Sequence, residues 1–490
     1  MTIIKSFPLI GVLILYLIAF IMPLIKKNSL VKFLSVISFS TCLILFITCL
    51  RYVIYNGSYF YKIGHFDAPY GIEFKIGIIE CVIAVLFAFI SLMVSWYSCY
   101  SIEHDIDERK IPLYYLLINI LVGSLLGIVF SNDMFNVYVF IEIGNLASCG
   151  IVVVKGKKEN IKAGLKYLIM SCLGSGLVLM GIAFLYSMTG HLNMTYIHES
   201  LIKSYMNYPQ AIIITLGLFT VGLGVKSALF PLHTWLPDAH SSAPTSSSAI
   251  LSSLVLKAYV IFLLKILYRV MGKEIIFNTP ILNILLILGS LGMIMGSILA
   301  MFQKDLKRII AYSSVAQIGY IYFAIGLGTE LGVVMCIYHI IGHAVTKSAL
   351  FLCSGSIIEK TCQKEITNLI GVGKEMPYTL ALFFISSLSL VGIPLLPGFV
   401  SKWYLAIDSI GVNKLLLIII ILASSLLNAV YYLPISINGF FDEENSGGKI
   451  YKSKEKTIKE LMPIAILVIA MFYVGINSEG IINLIKTALA

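Results

Sequence analysis

The chain has 490 residues, of which 59% are hydrophobic and only 12% carry a charge, and its formal net charge is +10. A mean hydropathy of +0.94 with so little charge excludes a soluble globular protein and predicts a polytopic membrane protein. The nine cysteines include no C-x-x-C pair and form no cluster of the iron–sulfur or zinc type, so we expect no bound cofactor and no metal.

Apolar runs of roughly 20 residues recur along the whole chain and predict about fourteen membrane-spanning helices. The first run, FPLIGVLILYLIAFIMPLI, is followed by two lysines and lacks a small-residue cleavage site, so we expect it to remain as helix 1. Lysine and arginine concentrate in alternate connections, which predicts that these are cytoplasmic and that both termini lie on the extracytoplasmic side of the plasma membrane. This pattern explains the net charge without a nucleic-acid partner.

The connections between these runs are short and polar, so residues 1–490 are predicted to form a single membrane domain in the lipid bilayer. We expect N-terminal helices 1–3 over 1–110, a first repeat over 111–272, a second repeat over 278–440, and a cytoplasmic loop with helix 14 over 441–490. After helix 2, the segment YNGSYFYKIGHFDAPYGIEFK predicts a small extracellular hairpin, because its glycines and prolines are typical of turns.

Two of the predicted helices contain prolines that are expected to break them. In helix 7, Lys226 precedes Pro231, whereas in helix 12 Lys402 follows Pro394 and Pro397. The lysine thus precedes the break in helix 7 and follows it in helix 12. Two broken helices of opposite sense, one in each half of the chain, predict two inverted five-helix repeats, helices 4–8 and 9–13, with an ion site near the midplane. The alternative is a simple kink beside a lysine that snorkels to the interface, arising twice by chance.

Charged residues inside apolar runs are costly and usually mark an ion path. Glu142 is the only acid deep within a run, and Lys226 is its natural partner, although a protonated Glu142 bonded to a neighbouring helix is an alternative. Lys257 lies near the centre of helix 8. Lys166 and Lys265 lie closer to helix ends, so we expect both to snorkel to the interface.

Helix 11 carries a stripe of titratable residues, because His339, His343 and Lys347 are each four residues apart and span about 12 Å of helix axis. A metal site at the two histidines or a pair of structural core histidines are the alternatives, and the nearby lysine disfavours a metal. Relay between such groups needs intervening water. The predicted site is therefore Glu142, Lys226, Lys257, His339, His343, Lys347 and Lys402.

Four segments, KSALFPLHTWLPDAHSSAPTSSSAILSSLVLKAY, DLKRIIAYSSVAQIGYI, HIIGHAVTKSALFL and GIPLLPGFVSKWYL, resemble in order the antiporter-like subunits shared by respiratory complex I, membrane-bound energy-converting hydrogenases and Mrp cation/proton antiporters. The similarity covers roughly residues 70 to 440. It implies a fourteen-helix fold, two inverted five-helix repeats and a polar axis at mid-membrane.

The resemblance also implies roles for the same residues. Matched by position, they are the helix-five glutamate Glu142, its helix-seven partner Lys226, the bridging Lys257 of helix eight, the helix-eleven stripe His339, His343 and Lys347, and the helix-twelve group Lys402. Where many relatives have an aspartate before helix 3, this chain has Gly77, with Glu80 three residues on. That departure puts in doubt a role for the helix-three entrance.

The leading hypothesis is a proton-translocating subunit of a multi-subunit, redox-driven complex, because the HTWLPDAH loop is similar to that of complex I and hydrogenase members. Its partners would be other membrane subunits, and it would carry protons, with Na⁺ as a second candidate ion. Opening of a Glu142–Lys226 pair would release the proton of Lys226 toward Lys257. The alternative is a subunit of an Mrp-type Na⁺/H⁺ antiporter, which the length and Lys402 fit equally well.

Overall fold

A computed structural model describes residues 2–412, 414–441, 455 and 457–489. Thirteen helices in this part of the chain are long and apolar enough to cross a membrane. The predicted helix 12 is present as two shorter helices. The chain is therefore an all-α membrane protein, as the sequence predicts. Most of the basic loop predicted within 441–457 lies outside the described residues.

The spans are numbered in chain order. They are α1 (Phe7–Ile21), α2 (Asn28–Asn56), α3 (Ile78–Asp105), α4 (Ile111–Phe130), α5 (Met134–Val153), α6 (Lys158–Thr189), α7 (Pro209–Lys226), α8 (Thr245–Phe277), α9 (Ile281–Met301), α10 (Leu306–Gly326), α11 (Glu330–Thr361), α12 (Pro377–Val391 and Pro397–Gly411), α13 (Leu415–Phe440) and α14 (Ile458–Ile476). Shorter α-helices cover Thr2–Lys5, Met194–Ser204, Leu236–Ser242, Val372–Glu375 and Ser478–Leu489, and 3₁₀ turns cover Met22–Leu24, Ile63–His65, Glu108–Lys110, Tyr205–Asn207 and Ile366–Asn368.

The predicted hairpin is present between α2 and α3. Strands β1 (Tyr59–Lys62) and β2 (Glu73–Ile76) pair antiparallel, with Tyr59 opposite Ile76. We call the side of the bundle reached by the connections after odd-numbered helices, such as 106–110, 154–157 and 302–305, the basic face. The hairpin follows an even-numbered helix and so lies on the opposite face.

Both proline-broken helices are broken in the structure. Helix α7 ends at Lys226 itself, and the chain returns to helix only in the short helix that begins at Leu236. The two halves of α12 are separated by residues 392–396, and Pro397 begins the second half. Prolines at these positions cannot donate a backbone hydrogen bond, which leaves carbonyls of the first half without helical partners. The inverted relation between the two predicted repeats stays a prediction.

Helices α8, α10 and α11 form the buried centre of the bundle. The apolar window is fully buried in α8 and α11 and 94% buried in α10, whereas it is only 33% buried in α1 and α2. Helix α8 also contains two π-helical segments, Leu251–Val255 and Lys265–Met271. Polar residues on these three helices are thus shielded from lipid by the surrounding spans.

Glycines bring the backbones of α9 and α10 together. A Cβ atom built on Gly319 would lie 2.5 Å from the backbone nitrogen of Met293 and 2.7 Å from the carbonyl oxygen of Gly289. Small residues allow such close approach between membrane helices, where packing rather than the hydrophobic effect drives association. This contact fixes α10, and with it the polar residues that α10 supplies to the site.

We expect Gly319→Ala to lower both the amount of chain in the membrane and the thermal midpoint of the solubilised protein, because the added methyl group meets backbone on α9. Gly217→Ala is the matched control, since a Cβ on Gly217 of α7 meets no atom within 4 Å. Equal midpoints for the two variants would contradict this account of the α9–α10 contact.

Candidate functional site

Lys226 is the last residue of α7, and its side chain is buried at the junction of four helices. Its ammonium donates hydrogen bonds to Asn145 Oδ1 of α5 at 2.9 Å and to Ser171 Oγ of α6 at 3.1 Å. It also lies 5.3 Å from the centre of the Tyr259 ring of α8. Neutral acceptors and an aromatic face therefore hold this lysine.

Glu142 and Lys226 are not in direct contact in this arrangement, and their pairing in another state of the site stays a prediction. No ion pair joins them within the part of the chain that the structure describes. Glu142 is half-buried, and its Oε1 atom is shielded from solvent without a hydrogen-bond partner. Asn145 lies three residues further along α5, on the same helix face, and takes the ammonium instead.

Lys257 and Lys347 are joined through serines of α8 and α10. The Lys257 ammonium donates to the carbonyl of Ser252, which lies in the first π-helical segment. The hydroxyl groups of Ser252 and Ser314 are 3.0 Å apart. The neighbouring Ser313 accepts from Lys347, whose ammonium also donates to a carbonyl of α10 at 2.8 Å. The structure thus connects α8 to α11 with only short gaps.

The histidines of the α11 stripe face a small cavity at the break of α12. Their rings are 5.8 Å apart, and His339 Nδ1 lies 2.8 Å from Ser401 Oγ. Both ring nitrogens of His343, His339 Nε2 and Gln317 Nε2 are buried without a partner. The cavity that these side chains line has a volume of about 10 Å³, enough for about one water molecule. A single water there would satisfy several of these nitrogens.

Lys402 closes the site at the second half of α12. Its buried ammonium donates to the carbonyls of Leu390, at 2.6 Å, and Val391, at 3.0 Å. These are the last residues of the first half, so the lysine satisfies carbonyls that the helix break leaves free. It also lies 5.0 Å from the centre of the Tyr320 ring, which stacks on His339.

The two lysines predicted to snorkel differ in exposure. Lys166 is partly exposed and pairs with Asp238 at 2.7 Å. The prediction for Lys265 is wrong: this lysine is 6% exposed and donates to the carbonyls of Ile128, Val129 and Ser131 at the end of α4. The last carbonyls of α4 have no partner within their own helix, and they accept hydrogen bonds from this lysine of α8.

Three buried polar residues contribute to the site although the sequence did not single them out: Asn145, Gln317 and His240. His240 is fully buried, stacks on Phe351 with ring centres 5.0 Å apart, and has no partner on either ring nitrogen. Burial, together with the charges of Lys347, Lys257 and Lys307, lowers the pKa of His240 to about 3, so the ring is neutral. No prediction for His240 came from the sequence, and the only available signal was the proline-rich context that returns this loop into the bundle.

One larger cavity opens toward each face of the bundle. At the basic face, a cavity of about 410 Å³ is lined by Asp105, Lys155, Lys307 and residues 241–242 next to His240. At the opposite face, a cavity of about 640 Å³ lies between the start of α3, the end of α8 and the start of α11. Lys75 of β2 lines that cavity, and desolvation together with the charge of Arg269 lowers the pKa of Lys75.

The structure therefore brings the predicted residues into three adjoining clusters rather than one continuous hydrogen-bonded chain. Among the described residues there is no group of three or more His, Cys, Asp or Glu side chains able to hold a metal. Chemically, the clusters provide bases and hydroxyl groups that exchange protons through short gaps, each of which needs a side-chain movement or a water molecule.

Known proteins resemble this chain over nearly its full length. It is 33% identical over 440 residues to NADH-quinone oxidoreductase subunit N of Desulforudis audaxviator, covering 88% of this chain and 87% of that protein. It is 29% identical over 481 residues to a Na⁺/H⁺ antiporter subunit of Bacillus subtilis, covering 97% of this chain and 95% of that protein.

Solved structures share the fold. A chain of the membrane-bound sulfane sulfur reductase, an archaeal respiratory membrane complex, matches with a TM-score of 0.89 and 26% identity, over 99% of this chain and 96% of that one. A chain of the Mrp complex from Dietzia sp. matches with a TM-score of 0.89 over 100% and 97%, and at 20% identity it bears on the fold alone.

The family model described as "NADH:quinone oxidoreductase/Mrp antiporter, TM" matches residues 131–428, which is more than half of the chain and includes every residue of the predicted site. The resemblance noted in the sequence motifs is thereby confirmed. This chain belongs to the family of transmembrane subunits of NADH:quinone oxidoreductases and Mrp antiporters.

Proposed function

We propose that this chain translocates protons as a membrane subunit of a multi-subunit, redox-driven complex of the complex I or membrane-bound hydrogenase type. The observation that carries the proposal is the row of titratable groups that starts at the half-buried Glu142 on α5 and continues through buried residues to Lys402 on α12, in the shielded centre of the bundle. Buried ionisable groups in membrane proteins are costly, and proton paths are a principal reason for keeping them.

Lys226 acts as the switch in this mechanism, with two alternative acceptors one turn apart on α5. Beside the Glu142 carboxylate, the charged ammonium is favoured by the opposite charge. Bonded to Asn145 and Ser171, as here, it has only neutral acceptors, and desolvation favours loss of its proton. A shift of the ammonium from Glu142 to Asn145 therefore drives a proton toward the Lys257 cluster.

Beyond Lys257, the contacts favour a route through α10. Protons pass by way of Ser252 and Ser314 to Ser313 and Lys347. Hydrogen bonds already join Lys257 to Ser252, Ser252 to Ser314 and Ser313 to Lys347, and Ser314 and Lys347 share the carbonyl of Ile310. Protons then cross the cavity of the α11 stripe, where a water molecule bridges His343 and His339, and reach Lys402 beside Ser401.

Proton exchange with the basic face takes place through the cavity of about 410 Å³. Ser241 and Ser242, which line this cavity, directly follow His240 in the chain. Both ring nitrogens of His240 are free, and the charges of Lys347 and Lys257 act on the ring. A neutral histidine in such a position accepts a proton on one nitrogen and releases one from the other.

The driving energy comes from partner subunits, because the cysteine pattern offers this chain no electron-transfer centre. We place the complex in the plasma membrane, with the basic face toward the cytoplasm and both termini on the extracytoplasmic side. The two halves, 111–272 and 278–440, act as inverted repeats that each contribute one broken helix.

A second candidate function is a subunit of an Mrp-type Na⁺/H⁺ antiporter. The 29% identity to an antiporter subunit over 97% of this chain favours it specifically. Membrane vesicles distinguish the two functions: a redox-driven subunit acidifies vesicles when an electron donor is supplied, whereas an antiporter subunit moves protons when a Na⁺ gradient is imposed. Neighbouring genes for hydrogenase or iron–sulfur subunits favour the first candidate.

Lys226→Ala is expected to lower coupled proton transport by about tenfold or more, because it removes the group that exchanges between Glu142 and Asn145. The measurement is acidification of sealed inverted vesicles, normalised to the assembled chain. Lys162→Ala on the exposed surface of α6 is the matched control and should retain activity. Normal pumping by Lys226→Ala would reduce this lysine to a structural role.

Glu142→Gln should also strongly reduce transport, since the amide keeps hydrogen bonding but cannot stabilise a charged Lys226. Assembly should be retained, because the Glu142 carboxylate makes no ion pair in the described part of the chain. Glu274→Gln, at an exposed position near the end of α8, serves as the control. Undiminished proton movement with Glu142→Gln would remove this residue from the mechanism.

In the α11 stripe, His343→Leu should interrupt transport, whereas His343→Gln should be intermediate because an amide binds water without titrating. His191→Leu, at a histidine outside the spans, should leave transport unchanged. Vesicle acidification is compared for the three variants, with metal content determined in parallel. Full activity in His343→Leu, or a stoichiometric metal lost with it, would favour a core or metal role for this histidine.

A further inference from the structure

The cavity at the face opposite the basic face penetrates far along α8. Its mouth is lined by charged residues such as Lys75, Arg269, Lys273 and Glu330, and its volume of about 640 Å³ accommodates many water molecules. Its inner wall includes Ile261 and Lys265. A charged, roomy cleft of this kind is expected to be filled with water.

Ile261 lies between this cavity and the central Lys257. Lys257, Ile261 and Lys265 are each four residues apart, so they share one face of α8. Ile261 and Lys265 line the cavity, whereas Lys257 does not. One helical turn, about 6 Å of axis, therefore separates the cavity from the lysine at the centre of the bundle, and an apolar side chain occupies that turn.

The hydrogen bonds of Lys257 and Lys265 show that neither lysine connects the cavity to the centre of the bundle in this arrangement. The Lys257 ammonium reaches back to the carbonyl of Ser252, five residues earlier in α8 and away from the cavity. The Lys265 ammonium is held by the terminal carbonyls of α4. Neither ammonium bridges the turn occupied by Ile261, which is only 3% exposed.

We propose that Ile261 is an apolar gate that separates Lys257 from an aqueous vestibule at the opposite face, and that this vestibule is the second aqueous access of the proton path. This inference rests on the proposed function. A hydrophobic constriction stays closed while it is dry, and it opens when water enters it. A Lys257 ammonium that has left the Ser252 carbonyl favours entry of water past Ile261, because a buried ammonium without acceptors is strongly destabilised. The gate opens when the Lys257 ammonium turns from Ser252 toward Ile261, and it closes when the ammonium turns back.

The first test is cysteine labelling in the intact complex. Ile261→Cys is introduced after the exposed Cys172 and Cys362 are replaced by serine, and a charged, membrane-impermeant thiol reagent is applied to sealed vesicles of either orientation. We expect reaction from the face opposite the basic face only. Leu263→Cys, a buried control on the same helix that does not line the cavity, should not react. An unreactive Ile261→Cys would overturn the gate, whether or not the complex pumps.

The second test is passive proton leak in vesicles without an energy source. Ile261→Ser should raise the leak by about tenfold relative to wild type, since a polar side chain keeps the constriction wet. Ile261→Val should stay near wild type, and Leu263→Ser controls for the general effect of a buried serine in α8. Equal leaks in Ile261→Ser and Leu263→Ser would overturn the gate. If Ile261→Ser does not assemble, the labelling result decides.

The two tests separate this inference from the proposed function. One-sided labelling of Ile261→Cys in a complex that moves no protons under any driving force would retain the vestibule and overturn proton translocation as the function of the chain. Pumping by a complex in which Ile261→Cys stays unreactive would overturn the gate and retain proton translocation as the function of the chain.

Discussion

The cost of placing lysine ammonium groups inside a membrane bundle governs the rest of this structure. A buried charge needs hydrogen bonds or an opposite charge, and carboxylates are scarce in these spans. Instead, neutral oxygens accept from the central lysines, most of them carbonyls at a helix end, a helix break or a π-helical segment. These lysines are Lys226, Lys257, Lys265, Lys347 and Lys402. Irregular backbone thus holds Lys257, Lys265 and Lys402, whereas side-chain oxygens and a carbonyl of α10 hold Lys226 and Lys347.

Neutral acceptors make the charged state of these lysines only marginally stable, and that suits proton transfer. A lysine in a tight ion pair would retain its proton, whereas one held by carbonyls changes its protonation state when a neighbouring charge moves. Lys226 is placed for such a change, because Asn145 and Glu142 lie on the same face of α5. Only the second of these acceptors carries a charge.

The centre of the bundle is drier than its two ends. A cavity opens at each face, but the cavity among the histidines between them has room for only about one water molecule, and the apolar Ile261 lies between Lys257 and the outer cavity. A membrane protein that moves protons against a gradient must not connect both faces at once. Dry barriers such as Ile261 on α8 meet this requirement, because they interrupt a water chain without adding a charge.

The sequence by itself determined the membrane class, the order of the spans, the breaks at Pro231 and Pro394–Pro397, and the row of titratable residues, because apolar periodicity and proline chemistry are local properties. It did not determine what each polar group touches. Lys265 was expected at an interface but meets the terminal carbonyls of α4, and Lys226 bonds Asn145 rather than Glu142. His240 was missed because its loop returns into the bundle. Such contacts join residues far apart in the chain, so only the packing of the helices decides them.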